Sequence, residues 1–179
     1  MIEDEIKAIF KLADDARREG RLNDAEQHID KALEFSIDDW TLYGNGLCRL
    51  AQVKRDRGAR TEAIDLYEEA IIFYKQDGES RSVADCLRHL GDIQRETGDF
   101  IRAETHLLSA LAAYERFAET PPLTFANTYR PLALLNEAMG RPEKAREFWL
   151  EALVLYRQAK VDAGIAECQA HLSGYSPSQ

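Results

Sequence analysis

Cysteine and histidine stand together twice, as Cys86-x-x-His89 and Cys168-x-x-His171. On a helix this spacing puts a thiol and an imidazole on one face. Two chemistries use such a pair: zinc ligation, and a cysteine nucleophile activated by a histidine base. Structural zinc takes four ligands, and these pairs lie 82 residues apart, in the same slot of a repeat described below. Duplication accounts for the match, so neither a metal nor a cofactor is expected. A nucleophile needs an orienting third group and an oxyanion donor, and the sequence suggests neither. Nor is there a glycine-rich phosphate loop, an HExxH, a GxSxG or an EF-hand pattern. The chain is therefore expected not to be an enzyme, with no catalytic residue assigned. Cys48 is expected to serve packing.

The elements that position these residues follow from a repeat. Gly20, Gly58, Gly98 and Gly140 are each followed five residues later by an alanine (Ala25, Ala63, Ala103, Ala145) and seven further on by another (Ala32, Ala70, Ala110, Ala152). Between the alanines stands a large apolar residue: Ile29, Tyr67, Leu107, Trp149. Eight residues before each glycine is a leucine (Leu12, Leu50, Leu90, Leu132), followed by a small residue (Ala13, Ala51, Gly91, Ala133). The copies are offset by 38, 40 and 42 residues, and Ile165-Ala166-Glu167-Cys168 repeats Val83-Ala84-Asp85-Cys86 as a closing half-copy.

Each glycine suits the left-handed end of a helix. The leucine and small residue belong to that helix, A. The alanine, bulky and alanine columns fall at i, i+4 and i+7 of the next helix, B, and form one apolar stripe. Small residues let A and B approach closely. A hairpin of this kind cannot bury its face alone, but a stack shares a continuous core.

This pattern resembles the tetratricopeptide repeat family over almost the whole chain. The copies exceed the usual 34-residue unit and are similar to the extended repeats of kinesin light chains and of the Leu-Gly-Asn-repeat G-protein regulators; Leu90-Gly91-Asp92 is close to that tripeptide. Two family positions differ. The tyrosine late in helix A is replaced by Ala16, Lys54, Gln94 and Asn136, and the proline after helix B is absent. The fold expected from the resemblance is all-α, a right-handed α-solenoid of four helical hairpins plus a C-terminal capping helix. It forms one domain over 1–175, with repeats at about 3–37, 38–77, 80–118 and 121–159, a capping helix at 162–173 and a frayed tail at 176–179. Helices are predicted over 3–19, 23–36, 38–57, 60–76, 80–97, 99–118, 121–139, 142–159 and 162–173. Asn23, Thr61 with Glu62, Ser80 and Asp99 supply capping signals, and Pro121-Pro122 fits a first turn. Pro131 lacks an amide hydrogen and predicts a kink or a late start. Tyr43, Tyr67, Tyr74, Trp149 and Tyr156 fall on helical spacing as core, and Trp40 is expected against the preceding hairpin.

The chain has 179 residues, a formal net charge of −9, 45% hydrophobic and 31% charged residues. These values fit a folded domain and argue against disorder. The acidity disfavours nucleic acid as a partner, because such affinity comes from neutralised phosphates. No apolar run approaches a bilayer span, so no membrane is expected. Three cysteines and an acidic N-terminus point to a cytoplasmic setting.

The resemblance implies that the A helices line a concave groove. Registering each A helix on its leucine gives the candidate ligand-binding residues Arg17, Asn45, Arg49, Gln52, Arg55, Arg88, Asp92, Arg95, Asn127 and Arg130, with Lys7, Phe10, Lys11, Asp14 and Arg18 on the same face of the first. Across 24 such positions nine are basic and six acidic, a surplus of three positive charges that leaves −12 for the rest. Arginine recognises carboxylates bidentately, so the expected function is non-catalytic protein–protein interaction, with an extended or helical acidic peptide in the groove. The competing reading pairs these arginines with Asp92, Asp56 or Glu96. The family's carboxylate clamp does not match residue by residue. Two alternatives stand beside the scaffold: a homodimer through Ile2, Ile6 and Phe10 or through Ile165 and Tyr175, and a regulatory sensor of a small molecule or signalling peptide.

Overall fold

The computed structural model describes residues 2–175; the expected frayed tail at 176–179 lies outside the described residues. Among these are nine α-helices and no strand: α1 (Ile2–Arg18), α2 (Leu22–Phe35), α3 (Trp40–Asp56), α4 (Arg60–Asp77), α5 (Ser80–Thr97), α6 (Phe100–Tyr114), α7 (Pro122–Ala138), α8 (Pro142–Ala159) and α9 (Asp162–Ser173). The fold is all-α, as the repeat pattern predicts.

The glycine column ends α1, α3, α5 and α7 in the left-handed region, with φ of 77°, 82°, 85° and 66°. Just beyond each glycine a backbone amide reaches back five residues: Arg21 to Ala16, Ala59 to Lys54, Asp99 to Gln94 and Arg141 to Asn136, at 2.8–2.9 Å. This is the hydrogen-bonded helix stop that a left-handed residue permits. The accepting carbonyls belong to the positions where the family tyrosine is missing. Gln94 and Asn136 are nevertheless buried, where Gln94 Oε1 meets His106 Nδ1 at 2.8 Å and Asn136 Nδ2 donates to Leu132 O at 2.8 Å.

All eight column alanines of the B helices are fully buried, as are Ile29, Tyr67, Leu107 and Trp149 between them. Burying such a side chain contributes roughly 1.5–3 kcal/mol, and the methyl-sized alanines set how closely helices approach. The contacts divide the chain into two compact units, Met1–Cys86 and Leu87–Gln179, with the division falling within α5. In the first, α1 packs on α2, α2 on α3, and α3 on α4, while α1 also touches α3. Its core gathers Ile6, Ile9, Phe10, Ala32 and Leu42, and beside them Ala13, Ala16, Ala25, Ile29 and Val53. In the second, α6 packs on α7, α7 on α8 and α8 on α9. Its core holds Leu107, Leu132 and Leu135, then Trp149, Leu153, Tyr156 and Cys168.

Several local expectations are corrected. Helix α6 ends at Tyr114 rather than near 118, followed by turns closed by Thr120 Oγ1 donating to Tyr114 O. Asp99 caps α6 by accepting from the Arg102 amide, but the residues before α2 and α4 are Arg21 and Ala59, so Asn23 and Thr61 sit inside the first turns. Helix α7 has no late start: it runs unbroken from Pro122 through Pro131. Trp40 opens α3 but remains 46% exposed. Leu12 is 53% exposed although Leu90 and Leu132 of its column are buried.

Candidate functional site

In the first unit the A-helix face is built by α1 and α3. Lys7, Lys11, Asp14 and Arg18 recur at helical spacing along α1, and Leu42, Asn45 and Arg49 along α3. Together with Phe10 they line a cleft of about 310 Å³. Its floor is apolar, because Phe10 and Leu42 are buried. The Arg49 guanidinium lies 4.5 Å from the Phe10 ring centroid. It also donates to Asn45 O at 3.1 Å and faces Asp14 at 3.3 Å. The cleft thus carries four cationic side chains against one carboxylate. Lys7 also meets Glu3 at 2.6 Å, a hydrogen bond that raises the lysine's pKa, and Arg18 meets Asp15. Lys11 is exposed and has no ion-pair partner among the described residues.

Elsewhere in this unit the face is paired within itself. Arg17 reaches Asp56 at 2.8 Å. Gln52 and Arg55 are half-buried, and Arg55 has an interaction partner of its own. The Asn45 side chain accepts from the Tyr74 hydroxyl at 2.9 Å.

The second unit shows the same tendency. Asp92 accepts from Arg95 at 2.8 and 3.1 Å, with Glu96 3.6 Å from the same guanidinium. Arg130 grips Glu167 of α9 through two bonds of 2.7 and 2.8 Å. That hydrogen bond raises the arginine pKa further despite burial. Asn127 accepts from the Tyr156 hydroxyl at 3.0 Å. Arg88 lies 3.0 Å from His89 Nε2, and its buried Nε has no hydrogen-bond partner. The arginine–carboxylate pairing weighed as the competing reading is present at Arg17, Arg49, Arg95 and Arg130.

The two Cys-x-x-His pairs lead to different contacts. Cys168 is buried and its thiol is pushed up to about 11 by that burial. His171 instead stacks on Trp149 with ring centroids 4.2 Å apart. It shares Glu137 Oε1 with the Trp149 indole and the Tyr175 hydroxyl, at 3.0, 2.8 and 2.8 Å. Cys86 meets Cys48, sulfur to sulfur, at 3.0 Å. Reading Cys48 as packing alone missed this contact. Its signal was the 38-residue spacing of the two cysteines, close to one repeat, which sets them on successive A helices. The apolar residues proposed for a dimer are used within the chain: Ile6 and Phe10 lie in the core of the first unit, and Ile165 and Tyr175 pack on the Trp149 cluster. The side chain of Ile2 lies outside the described residues.

No helix among the described residues is long and apolar enough to cross a membrane. A search of curated proteins gave no match. Among solved structures the chain is similar to BtubC (BKLC) from P. vanneervenii, at 21% identity and a TM-score of 0.72, covering 99% of this chain and 85% of that one. It is also similar to aspartyl phosphate phosphatase F from Bacillus subtilis, at 13% identity and TM-score 0.84, covering 95% of this chain and 45% of that one. A signal transduction ATPase with numerous domains and a tetratricopeptide repeat sensor, from Pyrococcus horikoshii, matches at 18% identity and TM-score 0.80, with 97% and 27% covered. At these identities the likenesses speak for the fold. The family model described as tetratricopeptide repeat matches residues 5–76 and 42–116, more than half of the sequence. On the repeat columns, the hairpins they form and this match, the chain belongs to the tetratricopeptide repeat family.

Proposed function

We propose that the protein is a non-catalytic docking module that holds an acidic segment of a partner protein against the α1–α3 face. Tetratricopeptide repeats generally mediate protein–protein interaction. The observation that carries the finer reading is the cleft in which Lys7, Lys11, Arg18 and Arg49 surround an apolar floor with Asp14 as the only carboxylate. Cations over an apolar floor favour a carboxylate-bearing peptide with a hydrophobic side chain, since both kinds of contact can be made together. Arg88, Arg95, Asn127 and Arg130 lie in the other unit and stand apart from this cleft as separate, weaker candidates for anionic groups. Their internal partners must be displaced first, which lowers their contribution. Three free thiols accord with a cytoplasmic setting.

The test is fluorescence anisotropy of a labelled glutamate-rich peptide with an aromatic residue, titrated with the full chain. Lys11→Glu/Arg18→Glu is expected to weaken binding about tenfold or more, and raised salt to weaken it further. Arg88→Glu/Arg95→Glu is expected to cost less than about threefold, because these arginines already face His89 and Asp92. Equal affinity of wild type and the Lys11/Arg18 variant, with both still helical, overturns the reading.

A further inference from the structure

The contact between Cys48 on α3 and Cys86 on α5 serves neither the basic cleft nor the apolar columns. Both residues belong to the unit Met1–Cys86, both are free thiols, and their sulfurs are 3.0 Å apart. Repeat duplication does not explain the pair. The positions of equal register are Arg88 with Thr128 one repeat on, and Arg130 with Cys168 in the next. Only at 48 and 86 are both partners thiols. We propose that Cys48 and Cys86 are a modification site, closing into a reversible disulfide under a peroxide oxidant and so fastening α3 to α5.

The surroundings assign the two roles. Cys86 is buried, whereas Cys48 keeps a solvent-exposed part, so peroxide meets Cys48 first. Hydrogen bonding from the Cys86 thiol lowers the Cys48 pKa against the opposing effect of burial. The Tyr74 hydroxyl, 3.6 Å from Cys48 Sγ, and the Arg49 charge act in the same direction, with Asp85 against them. A thiolate is the nucleophile in both steps. The Cys48 thiolate attacks one peroxide oxygen, giving a sulfenic acid and hydroxide, which takes up the proton Cys48 has released. Cys86 then attacks the Cys48 sulfur and loses its own proton, and the sulfenic oxygen leaves as water. Two thiols are oxidised by two electrons in all, and one peroxide is reduced to two waters. The contact already present means the sulfurs need approach by only about 1 Å to bond.

The test uses the full chain and hydrogen peroxide, read by intact mass, non-reducing peptide mapping and recovery with dithiothreitol. The wild type is expected to lose about 2 Da, to yield one joined peptide pair containing Cys48 and Cys86, and to recover on reduction. Cys168→Ala is expected to do the same. Cys48→Ser and Cys86→Ser are each expected to gain oxygen in steps of about 16 Da or to link between chains. Closure is expected at least about tenfold faster in the native chain than in the chain unfolded by guanidinium, because the fold supplies the effective concentration. The proposal is overturned if the native chain gains oxygen without a joined peptide, if the joined peptide contains Cys168, or if native and unfolded chains close at the same rate.

Discussion

Glu137→Ala is expected to release α9 from the second unit. Three donors converge on Glu137 Oε1: the Trp149 indole at 2.8 Å, the Tyr175 hydroxyl at 2.8 Å and His171 Nδ1 at 3.0 Å. Trp149 is fully buried, so its indole loses its partner without access to water, at about 1–3 kcal/mol. His171 and Tyr175 are half-buried and regain some hydration, which limits their share to about 0.5–1 kcal/mol each. The sum is about 3 kcal/mol. For a chain of this size that corresponds to a fall in Tm of about 6–12 °C. Circular dichroism melts give the shift, and amide hydrogen exchange in α9 locates it, since the loss is local to that helix. Glu137→Gln keeps an acceptor oxygen but not the charge and is expected to cost about 1 kcal/mol. The pH dependence gives a second readout. Burial pushes the Glu137 carboxyl up, but the hydrogen bonds from Tyr175, Trp149 and His171 together outweigh it, so it lies below its ordinary 4.5. A depressed folded pKa contributes stability at pH above the unfolded value, and this is lost as pH falls through the folded one. The gap between wild type and Glu137→Ala should therefore be full near neutrality and narrow as the pH falls below the ordinary carboxylate value of 4.5. A melt of Glu137→Ala within about 0.5 kcal/mol of wild type at pH 7 refutes the argument, because a buried indole cannot lose its acceptor at no cost.

Two backbone substitutions run against or with simple helix propensity. Gly91→Ala makes the third copy match the alanine found in the other three and should gain about 1 kcal/mol from propensity. A methyl there stands 2.6 Å from Leu107 Cγ and 3.1 Å from Ala103 O, and overpacking of about 1–3 kcal/mol is expected to make the net effect destabilising; a raised Tm contradicts it. Lys160 ends α8 in the left-handed region at φ 56°, ψ 44°, where the matching end of α4 has Gly78. Lys160→Gly relieves about 1–2 kcal/mol of steric cost against a smaller entropic loss in the unfolded chain, for an expected gain of about 0.5–1 kcal/mol. Denaturant midpoints at or below wild type tell against it.

The parts of the fold set by close helix approach were legible in the sequence. An alanine where two helix backbones meet leaves no room for a larger side chain, so Ala25, Ala63, Ala103 and Ala145 and their partners announce the contact without tertiary information. The glycine stops were legible for a similar reason, since few residues adopt their φ. What failed depends on neighbours outside the repeat. Leu50 packs on the cluster containing Ala25 and Ile29, and Leu132 on that of Leu107. Leu12 carries the same signature but has no earlier hairpin beside it among the described residues, and it is exposed. Ala84 and Ala166 differ likewise, the first buried and the second exposed. The early end of α6 and the inward side chains of Gln94 and Asn136 depend on individual hydrogen bonds that no periodicity carries.

Face charge and available charge are different quantities. The A-helix register counted a surplus of three positive charges, yet within the units Arg17, Arg49, Arg95 and Arg130 spend much of theirs on Asp56, Asp14, Asp92 and Glu167. These pairings are mostly between successive A helices, 35 to 39 residues apart. What a charged side chain meets one repeat further along, together with the acids one turn away on its own helix, decides whether it stays free. Thirty-eight residues on from Lys11 stands Arg49, which is not a carboxylate, and Lys7, with Asn45 at that spacing, takes its partner from Glu3 on its own helix instead. The same arithmetic takes Cys48 to Cys86. A repeat read down its columns reports the core, because the core recurs in every copy. Read across neighbouring copies, it reports where a charge or a thiol finds its match and where a charge is left for something else to bind.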